Sequence, residues 1–478
     1  MSTLPRLDAF IAGKPHASSG GASTLLSPID LTPFAELIEC PEATVGVAVG
    51  NAHTAYLAHR KSTLAQRAQW LNAAASAIDA AVPEITAMLI RDIGKPKRAA
   101  SFEANRSAAF LRACAAQVVS LSGETVPVDS AATGAGRVGF TRHVPFGVVA
   151  GITPFNAPIN LLVQKLGPAI AAGNAMVVKP HPAGTRVALR VAELFIQAGV
   201  PAGLFNLVTG ERDAAQALVR HPQVMAVTFT GGTIAGDALV RAAGAKKFVA
   251  ELGSNAANIV LADADVLDAA KRIAGAAFEA SGQQCISAQR VIVEASVLDA
   301  FLPAFVQAAK ALKVGEPSDE TVDIGPMVSL AAANRVMAMM ADALQRGARY
   351  ALEPVQKNCL VSPGIAVGVP RDAQMWCDEA FGPLALVEAA ANVDQALALA
   401  NDSPFGLQGA VFTRSLKSAM RFSEEFDVGS LWINEASRFR LDMYPFGGVK
   451  RSGFGREGVK YAIEEMSQLK FIGMRWDV

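Results

Sequence analysis

The chain has no surplus of either charge: among 478 residues, Lys and Arg number 43, Asp and Glu number 43, and the formal net charge is zero. Nucleic acid and anionic membrane surfaces ordinarily demand a basic excess, so neither is expected as a main partner. Cysteine is scarce. The five present (Cys40, Cys114, Cys285, Cys359, Cys377) are odd in number, scattered and without a CxxC pair. That pattern argues against a disulfide framework and against a metal site. Free thiols fit a reducing compartment, and a cytoplasmic location is expected. No apolar run reaches the ~18 residues of a membrane span. Nor does a basic segment followed by an apolar one follow Met1. Internal repeats and low-complexity tracts are also lacking.

What is present is a soluble globular composition, 51% hydrophobic and 18% charged, in a chain too long for one hydrophobic core. Two or three domains are expected. Cys285 draws the eye because it follows a Ser281-Gly282 break and is flanked by Gln283, Gln284 and Ser287. A core cysteine usually sits in a continuous apolar run. Two readings stay open on this local pattern, a small buried hydrophobe and a nucleophile. The choice depends on whether the rest of the chain supplies a base, an oxyanion site and an electron acceptor.

Residues 8–50 read as short strands and loops, followed by helical periodicity over 51–81 and 83–93. A further helix spans 98–121, with Phe102, Ala109, Phe110 and Ala116 on its buried side. Arg106 falls at the edge of that face, where an arginine either snorkels to water or meets a ligand. Residues 120–143 read as a long hairpin interrupted at 129–136. Such an arm has little core of its own and needs another domain or subunit.

From Val144 onward, buried strands (147–152, 175–180, 205–208, 226–230) alternate with helices (161–172, 185–198). This pattern predicts a parallel, doubly wound α/β sheet that binds ligands at the carboxyl ends of its strands. Asn156, Lys179 and Gly231 fall at such ends. Thr230-Gly231-Gly232-Thr233-Ile234-Ala235-Gly236 reads as strand, glycine turn and helix start, where backbone N–H groups can face a pyrophosphate. It is not the G-x-G-x-x-G pattern, and such turns also occur without a nucleotide. The strand at 247–255 sets Glu251 among apolar neighbours. A buried carboxylate is costly unless paired or functional, and burial raises its pKa toward that of a general base. The α/β style continues through helices at 265–279, 297–312 and 330–346. Glu379 and Phe381 would share one side of their segment if it is extended. The region 434–458 is rich in loops, and 468–474 reads as an edge strand suited to pair with the hairpin.

Several motifs occur in a compatible order: Thr153-Pro154-Phe155-Asn156, Gly173-Asn174 through Lys179-Pro180, Phe229-Thr230-Gly231 to Gly236, Glu251-Leu252-Gly253, Gly282-Gln283-Gln284-Cys285, Glu379 to Pro383, and Pro445 to Gly448. Together they resemble the aldehyde dehydrogenase superfamily, of the hydrolytic, NAD(P)-dependent type, over nearly the whole chain. The resemblance implies a Rossmann-like dinucleotide-binding domain (1–119 and 143–252) and an α/β catalytic domain (253–452). It also implies a β-hairpin oligomerisation arm (120–142 with 453–478) serving a homodimer or homotetramer.

The resemblance makes Cys285 the nucleophile, as thiolate, toward an aldehyde. The Asn156 amide and the Cys285 backbone N–H would hold the oxyanion. Hydride would pass to NAD or NADP, and Glu251 would activate water to hydrolyse the thioester. Ile152, Thr153, Pro154, Phe155, Lys179, Gly231, Gly232, Gly236, Leu252, Glu379 and Phe381 would bind the cofactor, with Lys179 at the adenosine ribose and Glu379 and Phe381 at the nicotinamide end. NAD-preferring members often carry a glutamate three residues beyond the lysine. Here that residue is Pro182, so NADP stays open beside a slight preference for NAD.

For the substrate, Ala157, Leu161, Gln164, Gln284 and Ile286 would give a small, polar pocket. Arg106 and Arg440 would favour an anionic aldehyde. The alternative is that Arg440 braces its loop through Asp442 or a backbone carbonyl. Gln284 and Ala157 depart from a phosphonoacetaldehyde enzyme. Two rival functions are a coenzyme-A-acylating dehydrogenase, which typically lacks the glutamate base, and a non-catalytic protein that keeps the fold.

Overall fold

The computed structural model describes residues 4–476, so the outermost residues of the expected domains lie outside it. Its first sheet has eight strands in the order Gly453–Phe454, Lys247–Glu251, Val224–Thr230, Val148–Thr153, Ala175–Pro180, Phe205–Leu207, Ala9–Ile11 and Lys14–His16. The middle strands, from Lys247–Glu251 to Phe205–Leu207, are parallel. The parallel part of this sheet starts at Val148–Thr153, winds outward through Ala175–Pro180 and Phe205–Leu207, then returns to fill the other side. Strand order therefore reverses between Val148–Thr153 and Val224–Thr230, and a crevice opens at their carboxyl ends. Val148–Thr153 and Ala175–Pro180 are buried throughout, as helices on both faces require.

The second sheet runs Arg349–Leu352, Gly364–Val367, Leu384–Ala390, Arg290–Glu294, Ala257–Val260, Gln408–Phe412 and Ser430–Ile433. All of its pairings are parallel except that of Arg349–Leu352 at the edge. The predicted hairpin is also there. Thr125–Val126 and Ser467–Arg475 both pair antiparallel with Arg137–Pro145, in a register running from Ser467 opposite Pro145 to Arg475 opposite Arg137.

Three details differ from the sequence reading. The single helix expected over 51–81 is two, Glu42–His59 and Leu64–Ala80. Their break is written in a capping box: the Gln66 backbone N–H donates to Thr63 Oγ1, and the Thr63 N–H donates to Gln66 Oε1. On the helix Lys97–Gln117, Phe110 is buried, but Phe102, Ala109 and Ala116 are exposed. The buried stripe is made of small residues instead, Ala100, Ala104, Ser107 and Ala108 with Leu111 and Cys114. Small residues let this helix pack closely on Leu64–Ala80 and Asn160–Ala172.

Residues 453–466 do not belong to the arm. Gly453–Phe454 extends the edge of the first sheet, and the helix Val459–Glu465 buries Val459 and Ile463 in the same core as that sheet. Gly453 makes this possible, because at its φ of 120° a Cβ would lie 1.9 Å from the Ala250 carbonyl oxygen. The detour carries Glu457 into the centre of the molecule.

Asn174, fully buried, ties the C-terminal helix to the first sheet. Its Oδ1 accepts from the Gly147 N–H at 3.0 Å and its Nδ2 donates to the Met466 carbonyl at 2.8 Å. Asn174→Ala leaves both backbone groups unpaired and should destabilise the protein by roughly 2–4 kcal/mol. A thermal unfolding midpoint equal to that of the unaltered protein would contradict this.

Candidate active site

The helix Val266–Phe278 ends just before Cys285, and the chain then takes a run of positive φ angles at Ala280 (53°), Ser281 (61°) and Gly282 (62°). Left-handed conformations cost non-glycine residues about 1 kcal/mol or more each, so this turn must be held from outside. Ser281 Oγ donates to the Gly325 carbonyl at 2.7 Å, and Ser287 Oγ to the Gly282 carbonyl at 3.1 Å. The turn delivers Cys285, half-buried, to a cavity of about 990 Å³. Asn156, Ala157, Leu161, Gln284, Ile286 and Arg440 share the lining, with Phe102 and Arg106 farther along.

Asn156 is held by a clamp that no local motif announces. Lys95 Nζ donates to the Asn156 carbonyl at 2.8 Å and is ion-paired with Glu103. Glu103 Oε1 in turn accepts the backbone N–H groups of Ile159 and Asn160, at the start of the helix Asn160–Ala172. The carboxylate thus complements the positive end of that helix. Asn156 Nδ2 donates to the Gln283 carbonyl at 2.9 Å, which fixes the amide beside the cysteine loop and leaves its second N–H available.

Glu251 ends its strand only 2% exposed, and neither carboxylate oxygen has a hydrogen-bond partner. Burial pushes its pKa well above the ordinary carboxylate value, and the Glu457 charge pushes it further; Arg440, Lys165 and Arg456 pull the other way. Glu457 behaves oppositely. Burial alone would raise it, but Lys165 and Arg440 hold it down at about 2. Lys165 Nζ donates to Glu457 Oε1 at 3.0 Å and to Thr230 Oγ1 at 2.7 Å, while Arg440 Nη2 donates to Glu457 Oε2 at 2.9 Å. Arg440 also lies over the Phe446 ring, 3.6 Å from its centroid. Burial pushes the Cys285 thiol up to about 12, with Arg440 pulling it down and Glu251, Glu379 and Glu457 pushing it up.

The arginines singled out from sequence both reach this region, already engaged. Arg106 spends Nε and Nη2 on the two carboxylate oxygens of Asp442, at 3.1 and 2.5 Å. Arg440 is braced by Glu457 and by Gln164 Oε1, rather than through Asp442 or a backbone carbonyl, and its buried Nε has no partner. Gln164 is not part of the cavity wall. It is buried behind the wall, where its amide joins Arg440 to Asp442. Gln284 lines the cavity but accepts from Arg438 Nε at 2.9 Å. Lys165, Glu457, Lys95 and Glu103 were missed from sequence. The signal for Lys165 was there: Gln164-Lys165 interrupts a helix that is buried at every position, and a buried charge demands a partner.

The crevice of the first sheet fits a dinucleotide. Gly231 and Gly232 precede the helix Thr233–Ala243, whose N-terminal N–H groups face outward without side-chain cover. Gly236 packs so closely on Leu252 that a Cβ would lie 2.4 Å from it. Ile152 and Thr153 form the neighbouring strand end, and Pro154 and Phe155 lead away from it. The Phe155 ring meets that of Phe381 edge-on at 5.7 Å. Glu379 Oε1 accepts the Ser254 N–H at 3.0 Å. Burial raises Glu379 to about 7 against the pull of that N–H and of Arg335. At the far end of the crevice, burial lowers Lys179 to about 8, with Glu39 and Glu211 acting to raise it. Among the described residues, no cluster of His, Cys, Asp and Glu is placed to hold a metal ion.

Comparison with known proteins agrees with this geometry. The model of the aldehyde dehydrogenase family matches residues 16–472. A 3-sulfolactaldehyde dehydrogenase of Priestia aryabhattai is 39% identical over 443 residues, 92% of each chain. A sulfoacetaldehyde dehydrogenase of Neptuniibacter caesariensis is 34% identical over 447 residues, covering 94% of this chain and 98% of that one. Among solved structures, an NADP-dependent enzyme of E. coli superposes with a TM-score of 0.95 at 33% identity, over 98% of both chains.

Proposed function

Because the chain belongs to the aldehyde dehydrogenase family and oxidises an aldehyde to the acid with NAD or NADP, we propose that its substrate is a small anionic aldehyde and that Cys285 is the nucleophile. One observation carries the substrate reading. Arg440 lines the cavity beside Cys285, its buried Nε has no partner, and together with Lys165 it sets two cations against the single anion Glu457 that both contact. Low dielectric strengthens the pull of this cationic group on an anion. Arg106, neutralised by Asp442, adds shape rather than charge. Relatives named for sulfonated aldehydes support the same substrate class.

In the mechanism that follows, Cys285 gives its proton to cavity water and adds to the aldehyde carbon. The second N–H of Asn156 Nδ2 and the backbone N–H of Cys285 face the resulting oxyanion. Lys179 would hold the adenosine ribose and the helix start after Gly232 the pyrophosphate. Gly231, its N–H given to the Glu251 carbonyl, and Gly236, packed on Leu252, would shape that turn. Glu379 and Phe381 would hold the nicotinamide end, with Ile152 to Phe155 and Leu252 as walls. When bound there, the nicotinamide supplies the hydride acceptor that converts the adduct to an acyl thioester. Glu251, ionised, takes a proton from water as that water attacks the thioester carbon. The C–S bond breaks, the acid leaves and Cys285 is restored. A hydrolytic base at this position favours release of the free acid over transfer to coenzyme A. Strand Ser467–Arg475 leaves Leu469, Phe471 and Met474 at least half exposed, and a second copy of the chain is their natural cover in a homodimer or homotetramer. Sedimentation at the monomer mass would exclude that assembly.

A matched panel tests the substrate class: sulfonated and carboxylated aldehydes against neutral ones of equal length. The anionic members should show kcat/KM about tenfold higher or more; parity would overturn the reading. The pH dependence tests the base. Hydrolysis of pre-formed acyl-enzyme should rise with pH through a midpoint above the ordinary carboxylate range, because Glu251 must lose a proton that burial retains. In Glu457→Gln, one raising charge is gone and two lowering cations remain, so the midpoint should move to lower pH. A shift upward, or none, would refute the coupling.

A further inference from the structure

Lys179 closes the carboxyl end of Ala175–Pro180, and the carboxylates that act on it are Glu39 and Glu211, both remote in sequence. Glu39 follows the strand Pro33–Ile38, which belongs to a separate small sheet with Arg6–Leu7 and Ala22–Leu26. That strand end is stitched to the loop after Phe205–Leu207. The Cys40 N–H donates to the Thr209 carbonyl at 3.1 Å, and Thr209 Oγ1 donates to the Ile38 carbonyl at 2.5 Å. The stitching leaves the Glu39 carboxylate lying on Gly210, so close that a Cβ there would be 2.4 Å from Oε1. Oε2 accepts the Glu211 backbone N–H at 2.9 Å, whereas Oε1 is buried without a partner.

We propose that Glu39 selects NAD over NADP, with Oε1 accepting the 2′-hydroxyl of the adenosine ribose and the carboxylate charge excluding a 2′-phosphate. The proposal rests on Lys179 marking the ribose end of the dinucleotide crevice. A buried acceptor without a partner is completed by a donor; a hydroxyl carries one and an ionised phosphate does not. The Glu211 N–H, at the start of the helix Arg212–Arg220, is the kind of group that would otherwise bind phosphate. Glu39 Oε2 already occupies it. Lys179 alone would welcome a phosphate, but two carboxylates offset its charge. Pro182 contributes no charge, and the acidic residue that it lacks is replaced through space from the N-terminal segment.

The test is equilibrium binding of NAD and of NADP to the full-length protein without aldehyde, read by calorimetry or tryptophan fluorescence, so that turnover does not enter. The unaltered protein should bind NAD about tenfold more tightly than NADP or better, and Glu39→Gln should narrow that ratio about tenfold by tightening NADP. Equal affinities in the unaltered protein would overturn the proposal without any variant. A Glu39→Gln ratio unchanged from the parent would do the same. Binding of neither dinucleotide would instead remove the underlying reading of the crevice, a distinct failure.

Discussion

The ion pairs that Glu457 makes with Lys165 and Arg440 are the interaction on which the centre of this molecule depends. They join the helix Asn160–Ala172, the loop carrying Arg440 and the returning C-terminal segment, all out of water. Removing one partner from such a group costs about 3–5 kcal/mol, because the remaining charges stay buried and unpaired. Stability alone does not account for the arrangement, since packed apolar residues can replace buried ion pairs at little cost or with a gain. Its electrostatics do. Burial is the first cause of Glu251's resistance to ionisation, the fixed anion of Glu457 adds to it, and the cations Arg440 and Lys165 limit how far it goes. Arg440 extends the same field to the Cys285 thiol.

Local chemistry made part of this legible from the chain alone. A glycine break before Cys285, a carboxylate in an apolar strand at Glu251, and strand ends at Asn156, Lys179 and Gly231 each leave a mark within a few residues. The parallel sheet was legible for the same reason, because buried strands read as continuous apolar runs. The partners that tune those residues were not. Lys165 meets Glu457 across 292 positions, and Lys95 meets the Asn156 carbonyl across 61. The apolar helix around Lys165 marks a buried charge but not its partner, and nothing near Lys95 in sequence distinguishes a buried ammonium from a solvated one. Arg106 shows the converse: its helical position was readable, but its neutralisation by Asp442, 336 residues away, was not.

Phe102 carries a related lesson. Hydrophobicity alone assigns it to the core, whereas packing assigns the core face to alanines and leaves the ring at the cavity. Helices that approach closely need small side chains between them, and the large ring is left to line the cavity instead. Pro182 leaves no acid three residues beyond Lys179, and the carboxylates that act on that lysine are Glu39 and Glu211 instead. Glu39 approaches the same place from the other end of the fold.

Backbone geometry places the segment from which Glu457 reaches its two side-chain partners. Glu251 pairs across the sheet edge with Gly453, and the Leu252 N–H donates to the Ser452 carbonyl at 3.0 Å. Four residues after Gly453, the Glu457 N–H donates to the Phe446 carbonyl and the Phe446 N–H returns the bond to Glu457. The two carboxylates are thus spaced by a ladder at one end and a reciprocal pair of hydrogen bonds at the other. The backbone from which each carboxylate projects is thereby held in place. Burial is the larger cause of the raised proton affinity of Glu251, and the fixed backbone lets the Glu457 charge add to it.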